Sequence, residues 1–275
     1  MHLLNGMKVR RQNNIMIDLK KAENEFESYL ANYDRTALKI ALKITHTYEV
    51  LNSAKYIAES LGLDKENIDL ACLIALLHDI GRFEQLKIYD SYDDTKGLDH
   101  AGFGIKYLFE ENNIRKYVED DKYDSIIYKA IDNHSKLKIA DIDSMTETEK
   151  MHCRIIRDAD KLDNYRVKEK ESFEALFGIG VTEDVAGKCD ISDKVYKTFK
   201  ENKLIVNTDR ITYMDHWVSY LAFTFDLNFS PSLKFIDNKN YVDILVDRIN
   251  YTNLDTKNKM EDIRKITKDY INSRI

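Results

Sequence analysis

Apolar residues recur at spacings of three and four along most of this chain. From Thr36 to Ile57, Leu38, Ala41, Leu42, Thr45, His46, Glu49, Val50, Ser53, Ala54 and Ile57 fall on one face, the period of an amphipathic helix. Gly62, after Leu61, reads as its stop. A weaker pattern over residues 15–31, of mixed charge, predicts a first helix packed on the outside. Asp64 reads as an N-cap, with Glu66 in the first turn, for a helix carrying Ile68 through Ile80. That helix is apolar nearly all round from Leu70 to Leu77, which places it at the centre of its domain. Gly81 reads as its end, and the polar stretch 84–99, with Tyr89, Tyr92 and Asp93-Asp94, as a loop over a site.

Helical spacing resumes after His100 as far as Asn112, and again over 122–134, where Ile127, Ala130, Ile131 and His134 share a face. Ser144 or Thr146 caps a further helix through Ile155, Ile156, Ala159, Asp160 and Leu162. Beyond it, 168–178, 192–202, 209–226, 240–253 and 257–273 are helical candidates, and 178–191, with Gly178, Gly180 and Gly187, reads as a loop. One proline and nine glycines in 275 residues leave few chain-breakers, so long helices joined by short loops are expected. The reading is all-α: one helical domain over 1–275, with a core at 36–165 and an extension at 166–275 packing on that core and walling its pocket.

Charge narrows the partners. With 42 basic and 48 acidic residues the net charge is −6, which argues against binding long nucleic acid or an anionic membrane but allows a local basic pocket for a small anion. Cys72, Cys153 and Cys189 form no CxxC pair and no even framework, and Cys72 reads as a buried core residue. A reducing, cytoplasmic setting follows. Met1 to Arg11 has no apolar signal-type region, and no apolar run is long enough to span a bilayer. Phosphate loops, GxGxxG, HExxH and GxSxG are absent.

The candidate chemistry lies in histidines and aspartates. His46 is mid-helix on the inner face, His78 and Asp79 end the most apolar helix, His100 begins a helix and His134 ends one, and Asp160 sits in Asp158-Ala159-Asp160-Lys161-Leu162-Asp163. A carboxylate buried at Asp79 needs a cation or several donors. A divalent metal with neutral imidazoles meets that need, and neighbouring helices can gather such ligands from distant positions.

The order His46, His78-Asp79, Asp160, with the strings HDIGRF at 78–83 and DADKLD at 158–163, resembles the HD-domain superfamily of metal-dependent phosphohydrolases over roughly 36–165. His100 and His134 are similar to the second-metal positions of its six-ligand members. The resemblance implies one or two divalent ions (Mn, Fe, Co, Ni, Zn or Mg). His46, His78, Asp79 and Asp160 would hold the first, and Asp79 would bridge to a second on His100 and His134. It implies attack of a metal-bound hydroxide on the phosphorus of a small phosphorylated metabolite, a nucleotide in the first instance.

Arg82 and Lys161, close to ligand motifs, are the candidate phosphate contacts beside Asp79, with Lys136 behind them. Asp99 and Asp163 are candidates for orienting a ligand histidine or a basic side chain. His2 and His152 carry little weight, and His216, beside Trp217, reads more readily as core than as pocket wall. The same ligands serve two alternatives, a di-iron oxygenase that cleaves a carbon bond and a non-catalytic nucleotide sensor. Homo-oligomer formation is left open.

Overall fold

The computed structural model describes residues 17–92, 94 and 99–275. Met1 to Arg11, His2 and Asp93 lie outside the described residues. The described chain is all helical, with no strand. The N-terminal half contains α1 (Leu19–Leu30), α2 (Leu38–Ser60), α3 (Lys65–Leu77), α4 (Ile80–Tyr89), α5 (His100–Ile105), α6 (Ile114–Tyr117), α7 (Asp124–Asn133) and α8 (Glu147–Lys170). The C-terminal half contains α9 (Phe173–Phe177), α10 (Glu183–Ala186), α11 (Asp193–Lys200), α12 (Tyr213–Leu221), α13 (Ser230–Asn238), α14 (Tyr241–Asp247) and α15 (Leu254–Asn272).

α3 is the hub. Every residue from Leu70 to Leu77 is buried, so a helix apolar all round is surrounded on all sides, as its composition requires. Asp64 caps it by accepting from the Asn67 amide. α2 lies along α3 and α8, while α7 lies against α8 and α5. α8 starts on a capping box: the Thr146 hydroxyl accepts from the Glu149 amide and the Glu149 carboxylate from the Thr146 amide, which meets two donors that the first turn leaves open. α1 covers the outside and buries Ala22, Phe26 and Leu30; the Phe26 ring meets Phe83 edge-on.

The C-terminal half is fastened to α8 by a buried carboxylate. Asp158 accepts from the backbone amides of Asn228 and Phe229 and from the Ser232 hydroxyl at 2.7 Å. α13 and α14 pack on α8, and a single connected cluster of buried apolar side chains extends from Ile17 to Ile271.

Several local expectations are corrected. Gly81 does not end a helix: α3 stops at Leu77 and α4 starts at Ile80, with Gly81 inside it. The glycine serves close approach, because a Cβ there would lie 2.2 Å from the Gly104 amide nitrogen and the His100 carbonyl oxygen. Helix therefore continues to Tyr89, where a loop was read from residue 84. α8 continues to Lys170, and one short helix, α10, interrupts the expected 178–191 loop. α13 was not anticipated; its Pro231 stands in the first turn, where a missing N–H leaves no bond unmade. Among the described residues no helix is long and apolar enough to cross a membrane.

Candidate metal centre

Six helices bring the six expected residues to one point. His46 comes from the middle of α2, His78 from the end of α3, Asp79 from the start of α4, His100 from the start of α5, His134 from the end of α7 and Asp160 from α8. All but Asp160 are buried, and Asp160 is partly exposed to the adjoining pocket.

Asp79 is the centre of the arrangement. Its Oδ2 lies 3.5 Å from His46 Nε2 and 3.6 Å from His78 Nε2. Its Oδ1 lies 3.4 Å from His100 Nε2 and 3.7 Å from His134 Nε2. Asp160 Oδ1 is 3.2 Å from His46 Nε2. Two groups result, His46–His78–Asp160 and Asp79–His100–His134, each with its ligand atoms within 4.8 Å of one another.

The imidazoles are oriented from behind. His78 Nδ1 is 2.7 Å from the Ala75 carbonyl and His134 Nδ1 is 2.6 Å from the Ile131 carbonyl. A carbonyl only accepts, so each Nδ1 carries the proton and each Nε2 presents a lone pair to the centre. His46 Nδ1 meets Asp163 Oδ2 at 2.6 Å, and His100 Nδ1 meets Asp94 Oδ1 at 2.8 Å beside the Arg82 guanidinium.

The electrostatics follow from burial. Desolvation pushes the His78 pKa down to about 3, so the ring is neutral. Desolvation also lowers that of His100. For His46, burial and the Lys43 ammonium oppose protonation, but Asp160 and Asp163 outweigh them and raise the pKa. Burial works against the charge on Asp79, yet Lys43 and the surrounding imidazoles hold its pKa well below the usual carboxylate range.

A divalent cation fits these residues. Among the described residues the Nε2 atoms of His46 and His78 are fully buried without a well-directed hydrogen bond, His46 having only the Asp79 and Asp160 carboxylates nearby, a costly condition that a metal ion relieves. His100 Nε2 and His134 Nε2 are 2.8 Å apart, and a shared cation suits two lone pairs so placed. The donor set of imidazole nitrogens and carboxylate oxygens suits Mn, Fe, Co, Ni or Zn.

The HD domain family model matches residues 44–165. The chain carries an HD domain. HD domains bind divalent metals and mark a superfamily of metal-dependent phosphohydrolases. No curated protein and no solved structure matches the chain.

Around the HD-domain centre the remaining candidates separate. Asp163 orients His46 and is itself held by Arg166. Asp99 orients no histidine: it caps α5 by accepting from the Gly102 amide at 2.6 Å, and Asp94 faces His100 instead. Arg82 is buried beside the centre, with its guanidinium on Gln85, the Tyr92 carbonyl and Asp94. Lys161 is buried and paired with Asp226 at 2.8 Å, and Lys136 with Asp132 at 2.6 Å. His152 is away from the centre, on Asn67 at 3.0 Å. His216 stands edge-on to Phe177 and Trp217 is core.

Sequence reasoning missed Lys43, whose ammonium is 2.6 Å from Asp79 Oδ2. It precedes His46 by three residues, hence shares its helix face, the one signal that marks it. The centre opens into a pocket of about 440 Å³. One wall is HD-domain surface; the other is the segment Leu204 to Arg210 with Ser219 and Phe223, from the C-terminal half.

Proposed function

We propose that this chain is a metal-dependent phosphohydrolase, a phosphomonoesterase or phosphodiesterase acting on a small phosphorylated metabolite, a nucleotide in the first instance. One observation carries the reading: four imidazoles, each with Nδ1 against an acceptor, aim Nε2 at Asp79 and Asp160 from one end of a basic pocket. His46, His78, Asp79 and Asp160 would hold a first divalent ion, and Asp79, His100 and His134 would hold a second. Bound there, such ions supply a nucleophilic water at neutral pH and neutralise phosphoryl charge.

The chain's own groups do the rest. Asp163, Asp94 and the carbonyls of Ala75 and Ile131 hold the rings in one orientation, so the centre needs little reorganisation. Lys43 and Arg82 border the pocket at Asp79 and set a positive potential for an incoming phosphate. The pocket's volume is within the range of small-molecule sites. Free cysteines at Cys72, Cys153 and Cys189 suit a cytoplasmic location.

Metal analysis of the purified chain, followed by a phosphate-release screen in defined metals without oxygen, tests this. About two ions per chain and oxygen-independent phosphate release are expected. A bound iron pair with no phosphate release from any ester would replace the proposal with the oxygenase.

A further inference from the structure

Six basic side chains line the pocket: Lys43, Arg82, Lys136, Arg157, Lys161 and Arg210. Five are matched by carboxylates. Lys43 pairs with Asp79, Arg82 with Asp94, Lys136 with Asp132, and both Arg157 and Lys161 with Asp226. Arg210 has no carboxylate partner among the described residues. Among those residues its guanidinium makes one hydrogen bond, to the Ser219 hydroxyl at 3.3 Å, and its Nε is fully buried without a partner.

A second unmatched cation is near enough to feel the Arg210 charge. Lys168 is buried in α8, with its ammonium 3.2 Å from Asn164 Oδ1 and 4.1 Å from the centre of the Tyr220 ring, and no carboxylate within ion-pair distance among the described residues. Asn164 Nδ2 in turn donates to Asp160 Oδ1 at 3.1 Å, so Asn164 stands between the metal centre and the Lys168 ammonium. Arg210 is also held in place. Asp215 accepts from the amides of Ile211 and Thr212 on one oxygen and from Ser192 on the other, which anchors the chain immediately after the arginine.

A guanidinium with open donors, in a pocket that provides an acid for every other cation, has its acceptor supplied from outside. Its planar fork suits an oxyanion. From this placement we propose that Arg210, supported by Lys168, is a second anion subsite, and that the substrate carries two anionic groups, one at the metal centre and one here. The inference rests on the phosphohydrolase reading for the first group alone. It narrows the substrate class to small molecules with two separated phosphates, or a phosphate and a carboxylate. It also gives the C-terminal half a role in specificity.

The test compares matched ligands on the full chain with its own metal content. Adenosine 5′-monophosphate is set against adenosine 3′,5′-bisphosphate, and fructose 6-phosphate against fructose 1,6-bisphosphate. Affinity is measured by titration calorimetry, with KM in its place wherever a probe is hydrolysed. At least one bisphosphate is expected to bind about tenfold or more tightly than its monophosphate, a difference of about 1.4 kcal/mol. In Arg210→Met that ratio falls below about threefold, and Arg210→Lys keeps part of it. Arg210→Gln stands in if the Met variant does not fold. No preference in either pair, or a ratio that Arg210→Met leaves unchanged, overturns the subsite. Absence of phosphate release with a ratio that still collapses would sink the phosphohydrolase reading and leave the subsite standing.

Discussion

Asp163 Oδ2 lies 2.6 Å from His46 Nδ1, and both residues are buried. The contact joins the middle of α2 to α8, which also carries Asp160. One helix thus supplies both a proposed ligand and the group that turns another proposed ligand toward it. A carboxylate behind an imidazole raises its basicity and fixes its orientation.

Asp163→Ala is therefore expected to weaken metal binding by about 10- to 100-fold, although Asp163 faces away from the pocket. Competition against a fluorescent chelator reads the affinity. Unaltered affinity would mean that packing alone orients His46.

The split of Asp79 between two groups of histidines makes a stoichiometric prediction. His134→Ala is expected to reduce the metal content from about two ions per chain to about one. Asp79→Ala, which takes a ligand from both groups, should lower occupancy of both and cut phosphate release by at least about 100-fold. Elemental analysis after gel filtration counts the ions. Two ions retained in His134→Ala would rule out its proposed role.

His152 predicts a pH dependence of stability. Burial lowers its pKa from 6.5 to about 4, against a weak opposing pull from Asp64. The unfolded chain therefore binds the proton more readily than the folded one. The contribution is complete above about pH 6.5 and is lost as pH falls through about 4. At full extent it amounts to about 3 kcal/mol. In chemical denaturation curves from pH 7 to 4, His152→Gln should show a flatter loss of stability than the parent. Superimposable slopes would remove His152 as the source.

Gly81 predicts a steric failure that reaches the metal centre. A Cβ at this position meets backbone atoms of His100 and Gly104, not the flexible end of a side chain, so α5 must shift. Gly81→Ala is expected to cost about 1–3 kcal/mol, as overpacking does, and to loosen the second metal by displacing His100. Thermal melting and metal titration test the two effects separately.

The sequence by itself determined the helical class, the placement of α2, α3, α7 and α15, and the residues that converge at the centre. These follow from local rules. Apolar spacing reports which face of a helix is buried, Asp64 and Thr146 carry caps in their own side chains, and a His-Asp pair at the end of a fully apolar helix demands charge compensation wherever the chain goes. Only the tertiary structure decided which groups stand behind those residues. Asp99 and Asp94 look alike as letters near His100; one is used up by the first amides of α5, and the other is carried back onto the ring by the chain preceding it. Gly81 reads as a stop because glycine often ends helices, but its partner is backbone from α5, more than 18 residues on. Arg210 is one of 42 basic residues in the sequence, and nothing local marks it as the one in the pocket without a carboxylate. The distinction depends on where Asp226 and the other carboxylates lie in space, and long-range pairing of this kind leaves no periodic trace along a chain.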